Sequence, residues 1–195
     1  TLDRSSAASD VYKRQVYIVR YAVLDWGPTL LGEWKGVSIH HAGWMVAAFE
    51  ISGIVGMLVA GWATDRFFGG RGPRVCVICM ALATVFVALF WGISQPPMWL
   101  ATLLLGAAGF CIYGPQALVG IAAANIATKK AAATAVGFTG LFGYASTLVS
   151  GWGLGLLAQH YGWNIAVGAL ILIAIMGTLI FMAAWSAKAN GYDND

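Results

Sequence analysis

Six apolar blocks, each close to twenty residues long and separated by short polar breaks, constrain this chain more than any other feature of its sequence. About 20 apolar residues in a helix cross about 30 Å of hydrocarbon. In that medium every backbone N–H and C=O must find its partner within the segment, so the blocks are predicted to be helices. Approximate spans of 16–34, 42–63, 75–93, 98–121, 133–158 and 164–185 follow, with 186–195 left as a tail. Only 10% of the residues are charged, against about 25% in soluble domains, which excludes an ordinary soluble enzyme. The expected class is an all-α membrane protein of six transmembrane helices.

The opening run TLDRSSAASDVYKRQ, residues 1–15, has neither a strand nor a helix period and gives way abruptly at Val16 to the first apolar block. It resembles the in-frame translation of a sequencing-library adapter, so it is read as non-native and set aside from fold reasoning. Without it, eight basic and six acidic residues remain. The native chain is then expected to be longer on this side.

Charge along the chain sets an expected orientation. Arg66, Arg71 and Arg74 follow the second span, Lys129 and Lys130 the fourth, and Lys188 lies in the tail; the opposite connections carry Lys35 beside Glu33. Lys and Arg in short loops mark the cytoplasmic side, which places the C-terminus inside. Trp26, Trp34, Trp44, Trp91, Trp99 and Trp163 fall near span ends, as interfacial anchors do. Small residues recur at helical spacing in Gly53 with Gly56, Gly106 with Gly109, Gly137 with Gly140 and Gly143, and Gly151 with Gly155. Close backbone approach at such positions packs membrane helices; in the fifth span the glycines also suit a helix that bends.

Arg20, Asp25 and Glu50 fall inside spans, where an ionisable group costs several kcal/mol unless it faces a cavity or a partner. Arg20 shares a helix face with Tyr17, and its planar guanidinium suits phosphate or carboxylate oxygens two at a time. Its long stem could instead snorkel to the interface. Asp25 lies about 140° around the helix from Arg20. Pro28 is expected to bend that helix, which leaves Asp25 either bonding the backbone freed by the bend or facing the cavity. Glu50, among Ala47, Gly53 and Ile54, is too deep to snorkel and is expected to pair with Arg20 or with a basic residue outside this chain. Tyr113, before Gly114 and Pro115, and Tyr144, after Gly143, are read as packed tyrosines with one hydrogen bond each or as donors to a substrate.

No enzymatic motif is found: no nucleophile elbow, phosphate-cradling loop or zinc-protease pattern. Cys76 and Cys79 form a C-x-x-C run on an apolar helix without further ligands, Cys111 stands alone, and His40, His41 and His160 fall in loops. No metal, cofactor or nucleic-acid partner is expected, and no catalysis.

The loop GWATDRFFGGRGPR, residues 61–74, places Gly61, Asp65, Arg66 and Arg71 in a G-x-x-x-D-R pattern followed by basic residues. This resembles the cytoplasmic loop motif of the major facilitator superfamily, and a charge cluster there could hold one arrangement of helices and release another. With YIVRYAVLDWGPTLL (17–31), FEISGIVGMLVAGW (49–62), IYGPQALVG (112–120) and KKAAATAVGFTGLFGY (129–144), the chain resembles the C-terminal half of the organophosphate:phosphate antiporters. The resemblance implies a twelve-helix transporter, monomeric when intact, in the bacterial inner membrane. It implies exchange of an organic phosphate such as glycerol-3-phosphate for inorganic phosphate, with a missing N-terminal six-helix half. A hexose-phosphate transporter or a membrane sugar-phosphate sensor is the alternative. The family binds phosphate with one arginine from each half, and Arg20 matches the C-terminal one. Tyr17, Asp25, Glu50, Tyr113 and Tyr144 match cavity positions, for hydrogen bonding or charge balance. Thr128 and Ala133 depart from the family pattern of proline and glycine at these places.

Overall fold

The computed structural model describes residues 2–126 and 132–183. Thr128, Lys129, Lys130 and Lys188 lie outside the described residues, as does the side chain of Ala133. Six helices follow one another: α1 Leu2–Lys35, α2 Ile39–Phe68, α3 Gly72–Gly92, α4 Met98–Ile126, α5 Ala132–Tyr161 and α6 Trp163–Ala183.

Each apolar block thus forms one helix, and the differences lie at the ends. α1 starts at Leu2 rather than at Val16. The opening run contains no Gly or Pro and several good helix formers, so a helix nucleated in the apolar block extends backwards at little cost. α1 also runs through Pro28, and α4 through Pro115, without interruption. His40 and His41 belong to the first turn of α2 rather than to a loop, because Ser38 caps that turn: its Oγ accepts from His41 N–H at 3.5 Å and meets His41 Nδ1 at 2.8 Å. His160 likewise falls in the last turn of α5.

Among the described residues, four helices, α2, α3, α4 through Ile121 and α6, are long and apolar enough to cross a membrane. Arg20, Asp25 and Glu33 break the apolar run of α1.

α2 and α4 make the most intimate pair, α3 packs on α4 and α6, and α1 crosses α5, α6, α2 and α4. The larger core joins Leu31, Met45, Phe49, Met80 and Ile112, all essentially inaccessible. A smaller one ties Ala22 of α1 to Leu154 of α5 and to Ala166 and Leu170 of α6. Lipid tails are as apolar as leucine, so burial alone does not drive these helices together; close packing and interhelical hydrogen bonds do. The α2–α4 seam uses both. A Cβ on Gly56 would strike the Phe110 carbonyl, and one on Gly109 the Phe49 carbonyl. Between these contacts Ser52 Oγ reaches Gly106 O of α4 at 2.7 Å and Phe49 O of its own helix at 3.0 Å. The expected pairs Gly53 with Gly56 and Gly106 with Gly109 are therefore two sides of one seam.

α2 ends in a tight turn. Gly69 and Gly70 adopt φ of 55° and 75°, the left-handed region that glycine enters without strain, and Gly70 N–H returns to Thr64 O at 3.0 Å. Pro73 in the first turn of α3 starts the next helix within a few residues.

Candidate functional site

The deepest charges of the bundle meet where α1, α2 and α4 converge. Glu50 of α2 and Tyr113 of α4 are placed by the seam: Gly53, one turn beyond Glu50, leaves room for the Tyr113 ring, whose Cδ2 would lie 2.5 Å from a Cβ at that position. Seated there, the Tyr113 hydroxyl donates to Glu50 Oε2. Arg20 arrives from α1. Its Nη2 lies 3.5 Å from the same Glu50 oxygen, its Nη1 donates to Gln116 Oε1 at 3.0 Å, and its guanidinium carbon stands 4.2 Å from the centre of the Tyr113 ring. Arg20 and Glu50 thus form an ion pair, with side chains 18% and 31% exposed, and Arg20 is turned inward rather than snorkelling.

The pair is only half engaged. A full fork would match two guanidinium N–H groups with two carboxylate oxygens, yet Nε of Arg20 and Oε1 of Glu50 are both buried and without a partner among the described residues. Tyr113 competes for Glu50, and Gln116 holds the far corner of the guanidinium. The arrangement keeps a cation fixed between aromatic and amide contacts while leaving one of its donor edges weakly used, which suits reversible exchange of one anion for another.

Arg20 also lies 5.4 Å from the centre of the Tyr21 ring. Tyr21 belongs to an aromatic trio with Tyr17 and Tyr144, their centroids 5.7 to 6.4 Å apart, on the side where α1 meets α5. Tyr144 is exposed there. Asp25 takes no part in the Arg20 cluster. It is exposed toward α5, where a Cβ on Gly151 would lie 3.8 Å from its Oδ2. Gly61 meets nothing within contact distance, and Asp65, Arg66 and Arg71 form no ion pair with one another among the described residues. Asp65 and Arg66 project from the end of α2 into the open, where solvation outcompetes pairing.

Two residues of the cluster escape a reading based on charge. Gln116 and Tyr21 are neutral, and neutral polar groups are tolerated in apolar helices more easily than charges. The available signal was spacing, since Gln116 follows Tyr113 by three positions and Tyr21 follows Tyr17 by four, each pair on one face.

The aromatic residues at the other end tie helices together more than they anchor to an interface. Trp26 Nε1 donates to Gly151 O of α5 at 2.9 Å, with its ring over Gly155. Trp163 Nε1 donates to Glu33 Oε2 at 2.8 Å. Lys35 stands 3.9 Å from the Trp34 ring centre and reaches Ile93 O at the end of α3; burial lowers its pKa from the ordinary 10.5. Trp44 and Trp99 are exposed, as anchors would be. Cys76, Cys79 and Cys111 are free thiols, and no group of three or more metal-ligating side chains occurs among the described residues.

Fold and site together define an all-helical membrane domain organised around a half-buried cationic centre. Residues 17–191 match the model of the Major Facilitator Superfamily, and the chain belongs to that family. It is 41% identical over 175 residues to a probable hexose phosphate transport protein of Chlamydia muridarum, covering 89% of this chain and 38% of the relative. It is 36% identical to the glycerol-3-phosphate transporter of Bacillus subtilis, covering 88% and 39%. It is 35% identical to the membrane sensor protein UhpC of Escherichia coli, covering 82% and 36%. The chain therefore spans well under half the length of these curated relatives.

Proposed function

We propose that this chain supplies one six-helix half of a twelve-helix secondary transporter that exchanges an organic phosphate ester for inorganic phosphate by alternating access. All six helices cross the membrane in this reading, with the C-terminus on the cytoplasmic side, and the second half is contributed by sequence outside this chain. The observation that carries the proposal is the half-engaged Arg20: an inward-facing guanidinium with a buried Nε that has no partner among the described residues, and a long contact to Glu50. The names of its relatives, hexose phosphate and glycerol-3-phosphate transport proteins, support phosphate as the anion.

The chemistry follows from charge. A phosphate dianion takes the Nε and Nη2 edge of Arg20, and Glu50, displaced from Nη2, keeps the hydroxyl of Tyr113. Without an anion, Glu50 offsets the cation, and a second cation from the missing half makes the empty site costly to carry across a low-dielectric centre. Reorientation is therefore favourable only when an anion is bound, which couples the inward flux of one phosphate species to the outward flux of another. The cavity lies at the interface of the two halves near the midplane, with Tyr17, Tyr113 and Tyr144 as hydrogen-bond donors and Asp25 on its wall. In the loop after α2, Asp65, Arg66 and Arg71 pair in one state of the cycle and separate in another. Glycerol-3-phosphate and hexose phosphates share the phosphate group that Arg20 reads, and competition between them decides the organic part.

The test is uptake of labelled glycerol-3-phosphate and glucose-6-phosphate by the full-length protein in vesicles loaded with phosphate or left empty. Uptake of either ester that requires internal phosphate supports antiport. Binding of an ester without exchange transfers the protein to the second reading, a sugar-phosphate sensor, which its 35% identity to a membrane sensor favours.

A further inference from the structure

We propose that Gln116 is a specificity-determining residue: its amide N–H donates to a hydroxyl of the organic portion of the substrate while its carbonyl holds Arg20. The proposal rests on the reading of Arg20 as the phosphate ligand and adds the class of ester selected, a phosphate monoester with a free hydroxyl close to the ester linkage.

Three observations carry it. Gln116 Oε1 is committed to Arg20 Nη1 at 3.0 Å, so the orientation of the carboxamide is set by the cation: oxygen toward Arg20, nitrogen away from it. The amide nitrogen has no acceptor among the described residues. Gln116 is half-buried rather than fully buried, so its side chain is not closed off from a ligand beside Arg20. An amide donor with no acceptor among the described residues, one carboxamide width from the Nη1 corner of Arg20, is placed to meet a polar group on the organic portion of an ester held at the neighbouring Nε and Nη2 edge.

The geometry also divides the work along the guanidinium. Gln116 occupies the Nη1 corner with a hydrogen bond of 3.0 Å, which a phosphate would have to break to bind there. The phosphate is directed instead to the Nε and Nη2 edge, where Nε lacks a partner and the contact to Glu50 is long. The ester chain then leaves the phosphate on the side of α4 that carries Gln116 and Tyr113. A site built to bond a hydroxyl rejects an analogue without one more strongly than an apolar site accepts it, because the donor is then left unpaired.

The test uses full-length protein in phosphate-loaded vesicles and compares, within each variant, inhibition of labelled phosphate exchange by glycerol-3-phosphate and by n-propyl phosphate. Both compounds present the same phosphate group, so any change in Arg20 cancels in the ratio of their inhibitory concentrations. Wild type is expected to prefer glycerol-3-phosphate, and Gln116→Met to lose about five- to tenfold of that preference, the worth of one net hydrogen bond. Exchange of phosphate for phosphate falls in the variant but persists, which reports that the protein is folded; Gln116→Leu replaces Gln116→Met if it does not. An unchanged ratio in Gln116→Met, or no preference in wild type, overturns the assignment of Gln116 while leaving the antiport reading intact. Absence of phosphate exchange in wild type overturns the antiport reading itself.

Discussion

The α2–α4 seam and the α1–α5 seam are both built with glycines, and they use them in opposite ways. Along α2 and α4, Gly53, Gly56, Gly109 and Gly114 each face an atom of the other helix that a methyl group would strike. Backbone meets backbone, and Ser52 bonds across the join. Along α5, Gly137 and Gly140 meet nothing among the described residues, and the contact with α1 is made by large rings, Trp26 over Gly155 and Tyr144 against Tyr17. Leu141, Tyr144, Leu148 and Trp152 of α5 stand exposed. One seam is closed at every turn, and the other is held, among the described residues, through large rings. Glu50, Tyr113 and Gln116 sit on the closed seam, and Arg20 comes to them from α1, so the site combines a wall of close backbone contacts with a helix seated through large side chains.

The largest effect should come from filling the closed seam. Gly56→Leu drives a side chain into the Phe110 carbonyl, and overpacking of this kind costs about 3 kcal/mol or more where backbone must move. The expected outcome is loss of the monodisperse peak of detergent-purified protein in size-exclusion chromatography, and a normal peak would remove the wall of close backbone contacts from the account. Glu50→Gln comes next. It keeps the shape but leaves the partly exposed Arg20 without its counter-charge, at a cost of about 1–2 kcal/mol once screening is allowed for. Phosphate exchange should drop about tenfold with the melting temperature lowered by a few degrees; intact exchange would count against charge balance by Glu50.

Smaller effects belong to the α1–α5 seam. Trp26→Phe removes the bond to Gly151 O together with the outer indole atoms that lie over Gly155, for a loss of about 1 kcal/mol, measured as a modest fall in thermal stability. Gly140→Ala should lie within about 0.5 kcal/mol of wild type, on the stable side because alanine favours helix over glycine. If Gly140→Ala is as damaging as Gly56→Leu, the contrast between the seams fails.

The helices were legible in the sequence because lipid imposes a length on each apolar block, and the six helices stand where the blocks stand. Their ends were less so. The start of α1 depends on helix propensity in a polar run, and the first turn of α2 on a serine cap, both of which are weak local effects beside the apolar pattern. In the site, Arg20 and Glu50 announced themselves as charges in apolar helices, and their pairing follows from the cost of leaving either alone. Gln116 and Tyr21 carry no charge and gave no comparable signal. Trp26 looked like an interfacial anchor because the sequence records its depth along a helix and not the neighbour to which its N–H points. The loop residues Asp65, Arg66 and Arg71 show the reverse limit, since proximity in sequence did not bring them together in this conformation.

The central claim is that the planar guanidinium of Arg20 binds phosphate. Equilibrium binding of labelled inorganic phosphate to the purified full-length protein, compared between wild type and Arg20→Lys, tests it most directly. Lysine keeps the charge and loses the fork. The account predicts that the variant stays folded, with an unchanged elution profile, and binds phosphate at least about tenfold more weakly, the equivalent of one lost charge-assisted hydrogen bond. Equal affinity in the two proteins would contradict it and place the phosphate elsewhere in the molecule.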